Sequence, residues 1–460
     1  MKSDTIAAIA TSISNSGIGI IRVSGKESIK IVSNIYINKN SDKVLNTYKA
    51  NTIHYGYIIE NDEILDEVMV SIMKSPNSFT TEDTVEINCH GGILVLNHIL
   101  ELVIKNGARL AQPGEFTKRA FLNGRIDLSQ AEAVMDLISS ENEIALKNSV
   151  RQLRGSVFNK ITELRKNIIY EIAFIESALD DPEHVSLDNY PENLNLKITS
   201  LINDIKKLLL TTENGKIIKE GINTVIVGKP NAGKSSLLNI LAGEEKAIVT
   251  EIAGTTRDVI EENIKLHDIN LHVIDTAGIR ATEDIIEKIG VEKAKKYSKE
   301  ADLIIYVVDS SVPLDENDID IIKLIENKKC IILFNKSDLE SKISIEELKE
   351  KVNKNSIIIK TSTKENTGIE RFEIVVKELF LSGQIYHNSD ILITNLRHKE
   401  ALQEALDSLI QVSNSIENNM PEDFYSIDLM SAYKSLGKII GEEVEEDLVN
   451  EIFSKFCMGK

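Results

Sequence analysis

Hydrophobic positions in the first 120 residues recur with the short period that is typical of β-strands. Short β-branched runs alternate there with turn-forming residues, at positions 18–23, 52–59, 68–73 and 84–88. The pair Gly91-Gly92 then leads into apolar positions with helical spacing over residues 93–105. We therefore predict an α+β domain over residues 1–120.

After residue 120 the apolar spacing becomes helical on both sides of a distinct central segment. Helical stretches are predicted before this segment at 128–153 and 161–179, and after it at 395–412, 426–440 and 443–456. The chain from Gly215 to Gly221 is predicted to be a hinge into the central segment. We expect residues 121–214 and 383–460 to form one all-α domain, with residues 215–382 inserted into it as a separate domain.

The central segment contains a phosphate-binding motif, because residues 228–235 read GKPNAGKS and fit the pattern G-x-x-x-x-G-K-[ST]. A β-branched run precedes the motif and a helix-like stretch follows it, as this chemistry requires. Glycines let backbone amides surround phosphates, Lys234 adds a positive charge, and the Ser235 hydroxyl is suited to bind Mg²⁺. The motif predicts a nucleoside triphosphate site, with loop members Gly228, Asn231, Ala232, Gly233, Lys234, Ser235 and Ser236.

Three further polar signals follow apolar, strand-like runs in this segment. The DTAG motif places Asp275 near Mg²⁺ and Gly278 near the γ-phosphate. The NKSD motif at 335–338 and the segment Thr361-Ser362-Thr363-Lys364 each follow another such run. Strands that alternate with helices and end in polar loops predict a P-loop domain with a doubly wound, mostly parallel sheet.

The NKSD motif indicates which base the site selects. Guanine presents two adjacent donors that Asp338 can accept together, whereas adenine lacks this pair. With adenine the carboxylate would be desolvated without partners, at a cost of several kcal/mol or about a thousandfold in binding. Asn335 is expected to contact the base edge, and the aliphatic stem of Lys336 to cover its face. The predicted nucleotide is GTP.

The residue after DTAG is Ile279, where many GTPases place a water-orienting glutamine. Because isoleucine forms no side-chain hydrogen bonds, either hydrolysis is slow or another group positions the water and neutralises the developing charge. Asn231 offers an amide oxygen beside the phosphates, and the loop 250–258 offers backbone carbonyls, with Thr256 as a Mg²⁺ ligand. A monovalent cation between Asn231 and this loop would supply the missing positive charge. Alternatively, Asn231 only forms a turn.

Composition and charge narrow the remaining classes. The net charge of −19 argues against a protein that coats nucleic acid, although a local basic patch is compatible with it. Three widely spaced cysteines form no C-x-x-C pair, which argues against a disulfide framework or a cysteine zinc site. The sequence contains no run of 18 apolar residues, and its first residues do not resemble a signal peptide. We expect a cytoplasmic protein without a membrane span.

Several longer motifs carry a resemblance that covers the whole chain. They are DTIAAIAT at 4–11, IIRVSG at 20–25, NSFTTEDTVE at 77–86, CHGG at 89–92, PGEFTKRAFLNGR at 113–125, IAGTTRD at 252–258 and FCMGK at 456–460. With the phosphate-loop motif, they make the chain similar to the bacterial MnmE family of tRNA-modification GTPases. That family acts on the wobble uridine together with a flavin-carrying partner.

The resemblance implies a function and a set of partners. It implies a potassium-activated GTPase that helps to add a carboxymethylaminomethyl or aminomethyl group to C5 of the wobble uridine. The one-carbon unit would come from a tetrahydrofolate derivative (5,10-methylene or 5-formyl) bound by the N-terminal α+β domain, through which the chain would form a homodimer. An FAD-carrying partner would join it in a heterotetramer or a larger complex, and tRNA would be the substrate.

The resemblance also assigns roles to matching positions. It implies folate contacts from Arg22, Glu86, Arg125 and Lys460, although the family commonly has lysine at position 125. It implies potassium ligands Asn231, Thr250, Ile252 and Thr255, and magnesium ligands Ser235 and Thr256, with Thr250, Thr255 and Thr256 close to GTP. Glu287 would be a general base or water-orienting residue acting with Lys234. Alternatively, Glu287 is a solvated carboxylate on a helix face.

Two other classes of function stay open from the sequence. One is a ribosome-assembly or signalling GTPase whose flanking domains only bind RNA or protein. Such proteins often carry a basic RNA-binding module or a second GTPase domain, and neither is readable here. The other is a folate-dependent aminomethyl-transfer enzyme that GTP merely regulates.

Overall fold

The computed structural model describes residues 4–39, 45–181, 184, 189–246, 261–266, 269–274, 301–326, 328–353, 356–381, 391–444, 446–456 and 459. The chain divides into two compact units. The first comprises Met1–Met135, Arg151–Ile198 and Asp407–Lys460, and the second comprises Asp136–Val150 and Thr199–Leu406. The division at 120, 214 and 382 inferred from the sequence stays a prediction.

A seven-stranded sheet with helices forms the N-terminal part of the first unit. Its elements are β1 (Ile6–Ile9), β2 (Ser16–Ser24), α1 (Ser28–Ser33), β3 (Tyr36–Asn38), a 3-10 turn (Leu45–Thr47), β4 (Thr52–Glu60), β5 (Glu63–Met73), β6 (Thr84–Gly91), α2 (Ile93–Lys105), β7 (Arg109–Leu110) and α3 (Glu115–Leu122). The strand order is β3-β4-β5-β6-β2-β1-β7, antiparallel except between β1 and β7. Residues of α1 and α2, such as Val32 and Ile99, are buried with Ile21 and Ile87 of the sheet. The predicted α+β architecture is confirmed.

Helices follow on both sides of the central sheet. They are α4 (Leu128–Ile138), α5 (Glu143–Leu153), α6 (Ser156–Asp180), α7 (Tyr190–Leu210) and α8 (Thr212–Glu220) before it, and α13 (Leu396–Glu417), α14 (Glu422–Ile440) and α15 (Glu446–Ser454) after it. In the first unit, α6 packs along α14. The buried residues of α6 include Ile161, Leu164, Ile168 and Ile172, which recur every three or four positions and line one helix face.

The second unit contains a six-stranded sheet whose middle strands are buried on both faces. Its elements are β8 (Ile222–Val227), α9 (Lys234–Lys246, with non-helical backbone at Gly243), β9 (Glu261–Leu266), β10 (Ile269–Ile274), β11 (Leu303–Asp309), α10 (Glu316–Ile325), β12 (Cys330–Asn335), α11 (Ile345–Lys351), β13 (Ile357–Lys360) and α12 (Ile369–Leu381). The order is β13-β12-β11-β8-β10-β9, parallel except between β10 and β9. Along β11, Ile305 belongs to one core cluster and Tyr306 to the other. The predicted doubly wound sheet is confirmed.

The structure refines one local prediction and contradicts another. The helical stretch predicted over 128–153 consists of two helices, and Asn142 begins the second by accepting a hydrogen bond from the Ala145 amide at 2.8 Å. The expected hinge from Gly215 to Gly221 is mostly the helix α8. A Cβ at Gly215 would lie 2.2 Å from the Ile393 carbonyl oxygen, so this glycine permits close packing rather than bending.

Candidate functional site

The predicted nucleotide site lies at the carboxyl ends of neighbouring parallel strands. β8 leads into the phosphate loop, β12 into the NKSD motif and β13 into residues 361–364. β11 lies between β8 and β12, and β13 flanks β12. Ligands of open α/β sheets bind at this edge. The topology therefore brings the described motifs to one side of the sheet.

The phosphate loop is closed by its own lysine and packs tightly against the NKSD motif. The Lys234 ammonium donates to the carbonyl oxygens of Gly228 at 2.6 Å and Lys229 at 2.8 Å. Gly233 has φ +105°, and a Cβ there would lie 2.2 Å from the Asn335 amide nitrogen. No other residue type fits this position without displacing Asn335.

Asn335 connects two loops of the site. Its side chain is fully buried, and its amide nitrogen donates to the Ala232 carbonyl at 2.9 Å. The backbone amide of Thr363 donates to its amide oxygen at 3.1 Å. Both ends of the amide thus hold the phosphate loop and the 361–364 loop together. Its contact with the base edge stays a prediction.

Asp338 and Ser362 form the part of the site assigned to guanine. The Ser362 hydroxyl donates to the Asp338 carboxylate at 2.6 Å and lowers the pKa of that carboxyl. Ser362 is fully buried, whereas Asp338 is half-buried and Lys364 is exposed. The carboxylate is therefore ionised and accessible at neutral pH, as recognition of two guanine donors requires.

The remaining predicted residues of the nucleotide site are divided between the surface and the undescribed parts of the chain. Asn231 has φ +60° and is exposed, and the Ser235 and Ser236 side chains are exposed at the start of α9. The predicted residues outside the described ones are Thr250, Ile252, Thr255, Thr256, Asp275, Gly278 and Glu287.

A second cluster of predicted residues lies on the sheet of the first unit. Arg22 and Glu86 are directly opposite each other on β2 and β6, and their side chains pair at 2.8 Å. Arg22 also donates to the Gly459 carbonyl at 3.0 Å and lies over the Phe116 ring. The structure thus brings two of the predicted folate-binding residues together next to Gly459, while Lys460 lies outside the described residues.

Arg125 lies against a neighbouring aromatic residue. Its guanidinium donates to the Phe79 carbonyl at 2.6 Å and lies 4.9 Å from the centre of the Phe79 ring. Phe79 packs on a small apolar cluster that includes Phe116, the residue beneath Arg22. Both arginines therefore border the same cluster.

Sequence reasoning missed the charged network that holds α3. Arg119 bridges Glu82 at 3.0 Å and Glu115 at 3.0 Å, and Arg109 pairs with Glu115 and Asp4. The i,i+4 spacing of Glu115 and Arg119 was a readable signal for one of these pairs. The PGEFTKR motif therefore supports the border of the site through ion pairs.

Comparison with known proteins assigns the family. A model described as GTP-binding protein TrmE N-terminus matches residues 5–125, and one described as MnmE helical domain matches residues 128–457. A tRNA modification GTPase MnmE from Lachnoclostridium phytofermentans is 57% identical over 460 residues, with 100% of both chains covered. The protein of the same name from Alkaliphilus oremlandii is 49% identical over 463 residues, with 99% of each chain covered. The chain belongs to the MnmE family.

Membership of the MnmE family confirms the resemblance seen in the sequence motifs. At the level of this family it also confirms the prediction of a GTP-hydrolysing enzyme of tRNA modification. Because the relatives match over their full length, they favour this function over a ribosome-assembly or signalling GTPase.

Two of the similar solved structures each cover a part of the MnmE-family chain. The G domain of the T. maritima FeoB iron transporter is 28% identical, covers 34% of this chain and 97% of its own, and has a TM-score of 0.26. Aquifex aeolicus Era bound to GDP and aluminium fluoride is 28% identical, covers 41% and 67%, and has a TM-score of 0.28. Among the described residues, no helix has both the length and the apolar character needed to span a bilayer.

Proposed function

We propose that this MnmE-family GTPase binds GTP at the carboxyl ends of β8, β12 and β13 and uses its hydrolysis in modifying the wobble uridine of tRNA. The observation that carries the proposal is Asn335, whose buried amide ties the phosphate loop to the loop that holds Asp338 through Ser362. Phosphate-binding and guanine-binding groups are thereby held side by side, as one guanine nucleotide requires.

Two cations fit the donors of this site. Mg²⁺ prefers oxygen ligands and binds few protein groups, which suits the exposed hydroxyl of Ser235, with Thr256 as the second ligand. We assign K⁺ to the exposed amide oxygen of Asn231, with Thr250, Ile252 and Thr255. K⁺ would supply positive charge to neutralise the charge that develops during hydrolysis, because the side chain of Ile279 cannot form a hydrogen bond there. Glu287 would orient the attacking water.

The Arg22–Glu86 pair fits a reduced folate. A guanidinium has five N–H donors, so Arg22 has capacity beyond its bonds to Glu86 and Gly459. A carboxylate suits adjacent N–H groups of a pterin ring, and guanidinium or ammonium groups suit folate carboxylates. We assign Arg22, Glu86, Arg125 and Lys460 to this ligand, which supplies a one-carbon unit when bound.

The face that carries this pair is suited to a homodimer. Strand register places Tyr55 opposite Met69, and Ile53 two residues from Tyr55, on the face that also carries Arg22 and Glu86. Ile53 is 65% exposed and Tyr55 45%. Apolar side chains gathered on an exposed face are typical of interfaces. We propose that two copies meet here and that the folate site forms at their interface.

The complete reaction requires further partners. We propose that an FAD-carrying protein supplies the redox step in a heterotetramer or larger complex, and that tRNA is the substrate. GTP hydrolysis would drive a conformational cycle of the nucleotide loops rather than activate the uridine directly. Because tRNA modification is the family function, we propose a cytoplasmic location.

A nucleoside analysis of tRNA tests this proposal. Cells lacking the protein would be complemented with the wild-type chain, Lys234→Ala, Arg22→Ala, or the control Arg371→Ala, an exposed arginine paired with Glu378. We expect wild type and the control to restore the modified uridine. Lys234→Ala should lose it together with GTP hydrolysis. Arg22→Ala should lose it while purified protein keeps its GTPase rate and binds 5-formyltetrahydrofolate more weakly.

The outcomes separate the alternative functions. Normal modification by Lys234→Ala would favour a folate enzyme that GTP merely regulates. Normal modification by Arg22→Ala, with unchanged folate binding, would contradict the assigned folate site. Unmodified tRNA with wild-type protein would contradict the tRNA function itself.

A further inference from the structure

β11 lies between the two strands that carry the phosphate loop and the NKSD motif. Tyr306 of β11 is paired with Val227 at the end of β8, and Asp309 is paired with Asn335 at the end of β12. The segment 309–318 that leaves β11 therefore starts between the two nucleotide loops. It contains three aspartates that face lysines of those loops. We call Asp309, Asp315 and Asp318 the acidic bridge.

One end of the acidic bridge holds the NKSD loop. Asp309 accepts a hydrogen bond from the Lys336 ammonium at 2.5 Å. Burial raises the pKa of Asp309, but hydrogen bonds from Lys336 and Ser311 outweigh this effect and keep the pKa below its usual value. The Ser310 hydroxyl also donates to the Lys336 carbonyl at 3.2 Å. Lys336 has φ +60°, so its backbone is held in an unusual conformation by these contacts.

The other end holds the phosphate loop. The Lys229 ammonium lies 2.6 Å from Asp318 and 3.1 Å from Asp315. Asp318 also accepts hydrogen bonds from the Tyr306 hydroxyl at 2.8 Å and the Asp315 amide at 3.0 Å. Asp315 in turn caps the start of α10. Lys229, the second residue of the phosphate-loop motif, is thus anchored to a helix and to the centre of the sheet.

Burial makes these contacts energetically sensitive. The Asp318 side chain is 1% exposed and that of Lys229 is 16% exposed. A carboxylate in such a position is stable only with a charged or hydrogen-bonding partner. Removing the lysine charge is therefore expected to disturb the local arrangement far more than removing an exposed ion pair would.

We propose that Lys229 is a positioning residue, and that the acidic bridge sets the distance between the phosphate loop and the guanine-binding loop. The inference rests on the proposed GTP site. The ammonium of Lys229 is occupied by Asp315 and Asp318, so in this proposal it acts through loop geometry rather than by touching the nucleotide. GTP and GDP both contact the two loops, so both depend on this distance.

Nucleotide affinities of the full-length chain test the proposal. In titrations with GTP and GDP, Lys229→Met should weaken both nucleotides about equally, by about tenfold or ~1.4 kcal/mol. The hydrolysis rate at saturating GTP should change less than twofold, and Lys229→Arg should restore affinity. The double variant Lys229→Met with Asp318→Asn should bind nucleotide no more weakly than the weaker-binding single variant, because both substitutions break the same ion pair.

Controls separate positioning from a loss of folding. Lys323→Met removes an exposed pair with Asp320 on the same helix and should leave both affinities unchanged. Asp315→Asn keeps a helix-capping residue and removes one charge partner, so it should weaken binding modestly even if Lys229→Met fails to fold. Thermal melting followed by circular dichroism identifies unfolded variants.

Three results would overturn the inference. They are unchanged affinities in Lys229→Met and Asp315→Asn, a loss confined to GTP, which would mean direct phosphate contact, or fully additive losses in the double variant. If wild-type protein binds no GTP, the proposed GTP site fails instead.

Discussion

At the scale of single residues, one buried hydroxyl lowers the pKa of the carboxylate that we assign to guanine. Ser362 donates to Asp338 and lowers its pKa. The ionised form, which would accept the two guanine donors, is therefore present above this lowered pKa and is lost as pH falls through it. Affinity for guanine nucleotides should follow the same titration.

Ser362→Ala is expected to move the acid limb of GDP affinity to higher pH. Without the hydroxyl the pKa of Asp338 rises, so protonation begins earlier on acidification. Affinity at neutral pH should also fall about fivefold, because one hydrogen bond that orients the carboxylate is lost. Titrations with a fluorescent GDP analogue from roughly pH 2.5 to 7 measure both effects. Ser337→Ala, an exposed serine of the same motif, is the control; an unmoved acid limb in Ser362→Ala would contradict the assignment.

The cation assigned to Asn231 gives a second prediction at this scale. The GTPase rate of the wild type should rise at least tenfold when Na⁺ is replaced by K⁺, or ~1.4 kcal/mol of barrier. Asn231→Ala should abolish this response, since the amide oxygen would be missing. Asn239→Ala, an exposed asparagine on α9, should keep it. Equal wild-type rates in both salts would rule out potassium activation.

Single-residue roles can be assigned from sequence only where a motif fixes the chemistry. The roles of Lys234, Ser235 and Asp338 are assigned from spacing and residue type, and they stay predictions. The partner of Lys229 could not be inferred from the sequence, because Asp315 lies 86 positions away and only the order of strands brings the two residues together. Asn335 shows the same limit, since its burial against Ala232 depends on how two loops pack.

At the scale of elements, α3 is held in place by buried charge. The side chains of Arg119 and Glu115 are each 10% exposed, and that of Glu82 is 14% exposed. Glu115 is desolvated, which raises its pKa, but its bonds from Arg109, Gln112 and Arg119 outweigh this and lower it. The helix that carries the PGEFTKR motif therefore depends on arginine pairs as well as on apolar contacts such as that of the fully buried Phe116.

Arg119→Met should destabilise this region by about 3–5 kcal/mol, because Glu82 loses its arginine partner and Glu115 keeps only Arg109. Hydrogen exchange followed by mass spectrometry should show faster exchange in β1, β2 and α3, with the central sheet of the second unit unaffected. Lys30→Met, which removes an exposed pair with Glu27, should change exchange little. Wild-type exchange rates in Arg119→Met would show that the network contributes little.

Element boundaries were predictable where side-chain periodicity and end signals agree. The helix Ile93–Lys105 has the predicted bounds, with Gly92 before it and Asn106 after it. β5 begins at Glu63, five residues before the predicted start, because the charged pair Asp66-Glu67 separates Ile64 and Leu65 from the apolar run that predicts the strand. The break before Asn142 was missed since helical periodicity continues across it.

At the scale of the whole molecule, the apolar sheet face of the first unit is the surface that we propose as the homodimer interface. Ile53→Glu with Met69→Glu places two charges on the proposed interface and should convert a dimer to a monomer in light-scattering measurements. Leu196→Glu is the control, an equally severe change at a 72% exposed site on α7. A double variant that stays dimeric would place the interface elsewhere.

The pairing of α6 with α14 also has a consequence for synthesis on the ribosome. About 240 residues separate the two helices, so translation at about 5–20 residues per second leaves about 10–50 s between their appearance. During that interval the stripe formed by Ile161, Ile168 and Ile172 has no α14 to cover it. A nascent chain halted before α14 would thus expose the aggregation-prone apolar stripe of α6 even when its nucleotide-binding sheet is complete. Chaperones would have to shield that stripe.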